Sequence, residues 1–259
     1  MNPASRINNV VEHFLSTDPG RPQIEGWHRW LKSGNAQVQD ESVMQSIQAV
    51  RKEARSLETK LKQLGIPEHL YKTTIDGLSY AFQTAYLHQA WGNVQAKVIA
   101  AEVRANLGWM SWALSKFDEN DLDADAMTAL VQAIADQEAL LQNTDLPDGL
   151  RELLEGQIEE LRIALMLYRI NGVQPIVDAV NKHSGEMRNA PADLVTAVAS
   201  AGPEAEGAVA KSMGLISKAA KVAESGSKIV KFAKEIYELG ASGVQLFGQS
   251  LLSGPPPGG

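Results

Sequence analysis

Imidazole is the side-chain type suited to moving protons and binding metals, and this sequence has five, His13, His28, His69, His88 and His183, with no cysteine beside them. A metal centre or an acid–base pair needs such groups to converge, and no two of these histidines lie within four residues of each other. His69 and His88 can share one helix, yet their separation in sequence would hold them ~28 Å apart along its axis. Two histidines have an arginine seven positions upstream: Arg6 with His13, and Arg21 with His28. In such a pair the arginine can steady a phosphate while the histidine moves a proton. Ten arginines and five histidines also generate this spacing by chance, and Arg21 stands in the proline-rich turn DPGRP.

The carboxylates are more numerous, and their spacing separates ligands from solvated faces. Asp121, Asp123 and Asp125 match the first three ligand positions of a calcium loop, but Ala126 replaces its glycine and Gln132 its bidentate glutamate. Asp121 or Asp123 therefore reads as a helix cap. Glu152, Glu155, Glu159 and Glu160 lie opposite a leucine stripe, beside Arg151 and Arg162, as on a solvated helix face. No glycine-rich loop follows a strand and no glycine-framed serine occurs, which leaves phosphate-cradle and serine-nucleophile chemistry without support. Trp27, Trp30, Trp91, Trp109 and Trp112 have few basic residues among them and read as core and helix-end packing. No cofactor and no metal is expected. The Arg6–His13 spacing resembles that of small helical ribonucleases, which makes RNA hydrolysis the enzymatic alternative.

A surface is the stronger candidate. Between Lys228 and Leu239, Ile229, Phe232 and Ile236 fall on one helical face while Lys228, Lys231 and Lys234 mark another. Such a helix can lie on an anionic membrane, dock in a partner's groove or complete its own bundle. These six residues are the interaction site that the sequence selects. The glycines and alanines around them would permit close helix approach.

The elements that must carry these residues are helical throughout. Asn2 and Pro3 open a helix with Ile7, Val10, Val11 and Phe14 on one face; DPGRP ends it, and Trp27, Trp30 and Leu31 mark a second short piece. Val43, Ile47, Val50, Ala54, Leu57, Leu61 and Leu64 recur in steps of four and three, a seam that stays on one side only in a helix. Gly65 ends the seam. From Pro67 the same spacing runs through Tyr71, Leu78, Phe82, Val103, Leu107 and Phe117. It predicts one helix of about fifty residues, ~75 Å long and antiparallel to the seam, with Gly77 and Gly92 as points where it can break. Two more helices follow, from the DENDLDADA run and from Pro147, and the LPDGLRELLEGQIEELRIALMLYRING stretch of the second resembles segments of bacterial proteins without implying an activity.

The 259-residue chain is 44% hydrophobic, enough to bury one sizeable core or two modest ones. Its net charge of −7 is unevenly distributed: residues 207–259 hold six lysines against three glutamates, a net +3, which leaves −10 for residues 1–206. The absence of cysteine suits a reducing cytoplasm, the opening MNPASRINNVVEHF lacks a secretory pattern, and no apolar run approaches a membrane span. The expected fold is all-α, an elongated bundle with long antiparallel coiled-coil-like helices. Its expected parts are an acidic body over 1–183, a basic small-residue-rich helical segment over 184–252 and a disordered Pro/Gly tail over 253–259. The expected function is that of a non-enzymatic interaction or assembly protein of a bacterium, as a defence effector or toxin component would be, with a structural adaptor bundle as a further alternative. Expected partners are a protein, a second copy of the chain or an anionic membrane surface, and not nucleic acid; the expected location is cytoplasmic, with membrane association on activation.

Overall fold

The computed structural model describes residues 1–32, 38–120 and 122–226. The chain is all-α: among the described residues every regular element is helical, and extended pairing is confined to one isolated bridge between Pro22 and Ala90. Helix α1 (Pro3–Leu15) begins where Asn2 Oδ1 accepts the Ser5 amide at 3.2 Å, and Pro3 occupies a position that needs no donor. It buries Ile7, Val10, Val11 and Phe14. Helix α2 (Gln23–Leu31) buries Trp27 and Trp30, and α3 (Asp40–Gln63) buries its seam from Val43 to Leu61. Leu64, the last seam position, is only partly covered. A Schellman turn closes α3: Gly65, at φ +70°, donates to Lys62 O at 2.9 Å, and Ile66 N–H reaches Leu61 O at 3.1 Å.

Residues 67–117 do not form the single long helix that their spacing predicts. They break into a 3-10 turn at Glu68–Leu70, α4 (Lys72–Ala81), further turns at Thr84–Tyr86 and Trp91–Asn93, α5 (Ala96–Ile99), α6 (Ala101–Ala113) and a final turn at Ser115–Phe117. Tertiary hydrogen bonds are the cause. The turn before α2 and the first residues of α2 capture the backbone between α4 and α5: Ile24 N–H donates to Leu87 O at 2.9 Å, while Trp91 and Gly92 donate to Arg21 O and Pro19 O at 2.8 Å. A continuous helix would have consumed those groups in its own ladder. Gly77 and Gly92 are points of close approach, since a Cβ would stand 2.9 Å from Lys97 O or 3.1 Å from Pro19 O. The break also brings Phe82 and Trp91 onto Phe14 and Trp27, with ring centroids 4.9 to 6.2 Å apart.

The chain divides into two compact units. The first contains Met1–Glu119 and Met166–Gly172, and in it α1 packs against α3 and α6 while α3 packs against α4. The second contains Asn120–Leu165 and the chain from Val173 onward. It is built from α7 (Ala124–Asn143), most of α8 (Asp148–Asn171), α9 (Gln174–Arg188), α10 (Ala192–Ala201) and α11 (Pro203–Gly226).

Helix α11 packs against α7, α9 and α10 and buries Ala205, Ala208, Ala219, Ala220 and Ala223 together with Val209, Leu215, Ile216 and Val222. Helix α9 passes unbroken through Ser184. Up to Gly226, the compositional shift at residue 184 therefore marks a change to alanine-based packing inside a core. Residues 227–252 of the expected basic segment, and the 253–259 tail, lie outside the described residues. Among the described residues no helix is long and apolar enough to cross a membrane.

Candidate functional site

Arg6 and His13 share the buried side of α1, but the fold ties each to different partners. Arg6 is 3% exposed; its Nε and Nη2 donate to Glu53 Oε1 at 2.8 and 2.6 Å, and its Nη1 lies 3.1 Å from Glu119 Oε1. Asn171 Nδ2 completes the cluster by donating to Glu53 Oε2 at 3.1 Å and Ala49 O at 2.9 Å. Gly172 lets these groups converge: its φ is +65°, and a Cβ there would collide with Glu119 and Arg6. Arg6 is thus a structural cation with little donor capacity left for a phosphate.

His13 presents Nε2 to Gly26 O at 2.9 Å, so that nitrogen carries the proton, and its ring stands edge-on to Trp30 and Phe14. Burial lowers its pKa below 6.5, with Arg29 and Arg169 acting in the same direction and the Gly26 bond opposing. The ring is a neutral strut.

The second arginine–histidine pair lies in the open. Arg21, His28 and Arg29 line a surface cleft of ~470 Å³ with Asp18 and Glu25. His28 Nε2 is 3.1 Å from Asp40 Oδ1, and Arg21 is 3.8 Å from Glu25. Glu25 offsets Arg21 and Asp18 lines the same cleft, which weakens it as an anion site.

In the second unit, Asp123 caps α7 by accepting from Asp125 N and Ala126 N at 2.9 and 3.0 Å, as its position in the acidic run suggests. Asp121 lies outside the described residues. No cluster of three or more potential metal ligands occurs among the described residues. Glu152, Glu155 and Glu159 are exposed, whereas Glu160 is half-buried and ion-paired with Lys182. Buried His183 places Nδ1 2.8 Å from Glu186 Oε2 and Nε2 3.2 Å from Glu160 Oε2. Sequence reading missed this cluster, in which Lys182 pairs α9 with Glu160 of α8 while Nε2 of His183 makes no hydrogen bond; the i,i+3 spacing of His183 and Glu186 was its local signal.

Lys228, Ile229, Lys231, Phe232, Lys234 and Ile236 lie outside the described residues, but the helix that precedes them does not. The end of α11 is fastened, with Gly226 O accepting from Asn120 N at 3.2 Å and Ser225 Oγ from Asp123 N at 3.3 Å. On its outward side, Gly207, Lys211, Gly214, Lys218 and Lys221 recur in steps of three and four, all exposed. The three lysines have no ion pair or side-chain hydrogen bond among the described residues. Lys211 and Lys218 border a groove of ~640 Å³ whose other wall includes Asp136 and Leu140 of α7 and Thr144 just beyond its end. The helical spacing of these lysines was legible in the sequence, where only the three later ones drew attention.

The tryptophans divide. Trp27, Trp30 and Trp91 are buried, as expected of core residues, but Trp112 is 80% exposed and packs no core. No known protein family, curated protein or solved structure matches the chain.

Proposed function

We propose that this chain is a non-enzymatic helical interaction protein whose basic C-terminal part engages an anionic membrane surface or an acidic partner. The reading is supported chiefly by the outward side of α11, where Lys211, Lys218 and Lys221 are exposed and unpaired among the described residues. They lead along the chain into Lys228, Lys231 and Lys234. Unpaired lysines on one side of a rigid helix create a positive field toward which anionic surfaces are steered. The apolar residues Ile229, Phe232 and Ile236 would then supply the contact that salt cannot screen.

The test is flotation with phosphatidylcholine–phosphatidylserine vesicles, together with light scattering. The full chain should bind, while Phe232→Asp and a chain ending at Gly226 should remain folded and bind more weakly. Equal binding by all three would refute the assignment to residues 228–239. RNA hydrolysis remains a second reading only at Arg21 and His28, which share an open cleft. Loss of a measurable ribonuclease activity in His28→Ala would favour it.

A further inference from the structure

An 80%-exposed tryptophan is unusual, because an indole left in water forgoes the burial that stabilises most cores. Trp112 stands near the end of α6, whose buried side is filled by Leu107 and Met110. Four, seven and eleven residues before it come Gly108, Ala105 and Ala101, all exposed and aligned by the helical repeat. A Cβ on Gly108 would meet nothing within 4 Å. The indole therefore projects from a helix side that carries nothing larger than a methyl group along that line. It is a knob, and what receives it must be hollow or deformable.

Charge selects between these. Residues 77–117 contain Lys97, Arg104 and Lys116 and a single acidic residue, Glu102, a net of +2 within a chain of net −7. Lys97, Arg104 and Lys116 are all exposed. The same stretch exposes Tyr80, whose ring centroid lies 5.0 Å from that of Tyr86. Exposed amphipathic aromatics and exposed cations carried by one stretch that holds a single acid suit the headgroup layer of an anionic bilayer.

We propose that Trp112 of α6 is an anchor that inserts into the interface of an anionic membrane. This contact is separate from the one assigned to residues 228–239 and holds whether or not that assignment does. Association is peripheral, with the indole at headgroup depth and the described helices outside the hydrocarbon core.

Trp27, Trp30 and Trp91 are buried and Trp109 is half-buried with Nε1 donating to Asn106 Oδ1 at 3.2 Å, so the emission of Trp112 is read as the difference between wild type and Trp112→Ala. The full chain is titrated with phosphatidylcholine vesicles containing a quarter phosphatidylserine, with phosphatidylcholine alone, and with brominated phosphatidylcholine in the mixture. The wild type should show a blue shift and bromine quenching that depend on phosphatidylserine. Trp112→Ala should lose both and partition about tenfold more weakly, the loss expected when one buried aromatic is removed. Its far-ultraviolet spectrum and melting temperature should match wild type, since the side chain fills no core. Phe232→Asp should retain the Trp112 blue shift, which distinguishes this anchor from the C-terminal site. Unchanged partitioning of Trp112→Ala would overturn the proposal. So would a blue shift that grows with protein concentration in the absence of vesicles, because the α6 side would then join copies of the chain.

Discussion

Replacing Arg6 by alanine should destabilise the first unit more than neutralising its partner does, and the geometry gives the order of the two effects. In Arg6→Ala, the Glu53 carboxylate, 5% exposed, keeps the Asn171 amide at 3.1 Å and the field of half-buried Lys60 but loses its direct ion pair. Stranding such a charge costs about 3–5 kcal/mol. In Glu53→Gln, Arg6 retains Glu119, 24% exposed, and the Met1 carbonyl at 3.1 Å, so the cation is still partly compensated. The loss there is that of a charge-assisted hydrogen bond, about 1.5–3 kcal/mol. For a unit of this size each kcal/mol lowers the melting temperature by roughly 4 °C, so Arg6→Ala should melt more than 10 °C below wild type. Circular dichroism at 222 nm against temperature and urea measures both variants. Equal losses, or a loss under about 1 kcal/mol in Arg6→Ala, would show that the cluster is hydrated and that the burial argument fails.

His183 should make the second unit acid-sensitive. Its folded pKa lies below 6.5, chiefly through burial and with Lys182 adding to the effect, while Glu186 opposes it; Glu160 of α8 faces the other ring nitrogen. A depressed imidazole pKa means that the unfolded chain takes up the proton first. The contribution is therefore full above about pH 6.5 and is lost as pH falls through the folded value. His183→Gln should flatten the fall in melting temperature between pH 7 and 5.5, and an unchanged slope would exclude this histidine as the titrating group. Deleting everything from Pro203 onward should unfold the second unit, because Leu215, Ile216 and Val222 each forfeit roughly 1.5–3 kcal/mol of burial against a total stability of about 5–15 kcal/mol. A soluble remnant with the helicity of both units would show that α11 is dispensable.

Local signals in the chain were enough for much of this fold. The four–three spacing from Val43 to Leu61 marks α3 because only a 3.6-residue period keeps those side chains on one buried side, and Asn2, Gly65 and Asp123 mark helix ends through groups a few residues away. The same spacing misled from Pro67 to Phe117. Periodicity records which residues can be buried together, not whether the backbone between them stays helical, and the amides of Trp91 and Gly92 find carbonyls about seventy residues upstream. The two arginine–histidine pairs have identical spacing, yet one is locked beside Glu53 and the other opens to solvent. Trp112 and Trp91 are likewise the same residue on helical segments, one exposed and one buried. Burial and charge compensation are sums over neighbours distant in sequence, so tertiary structure decided which of these side chains are structural and which face outward.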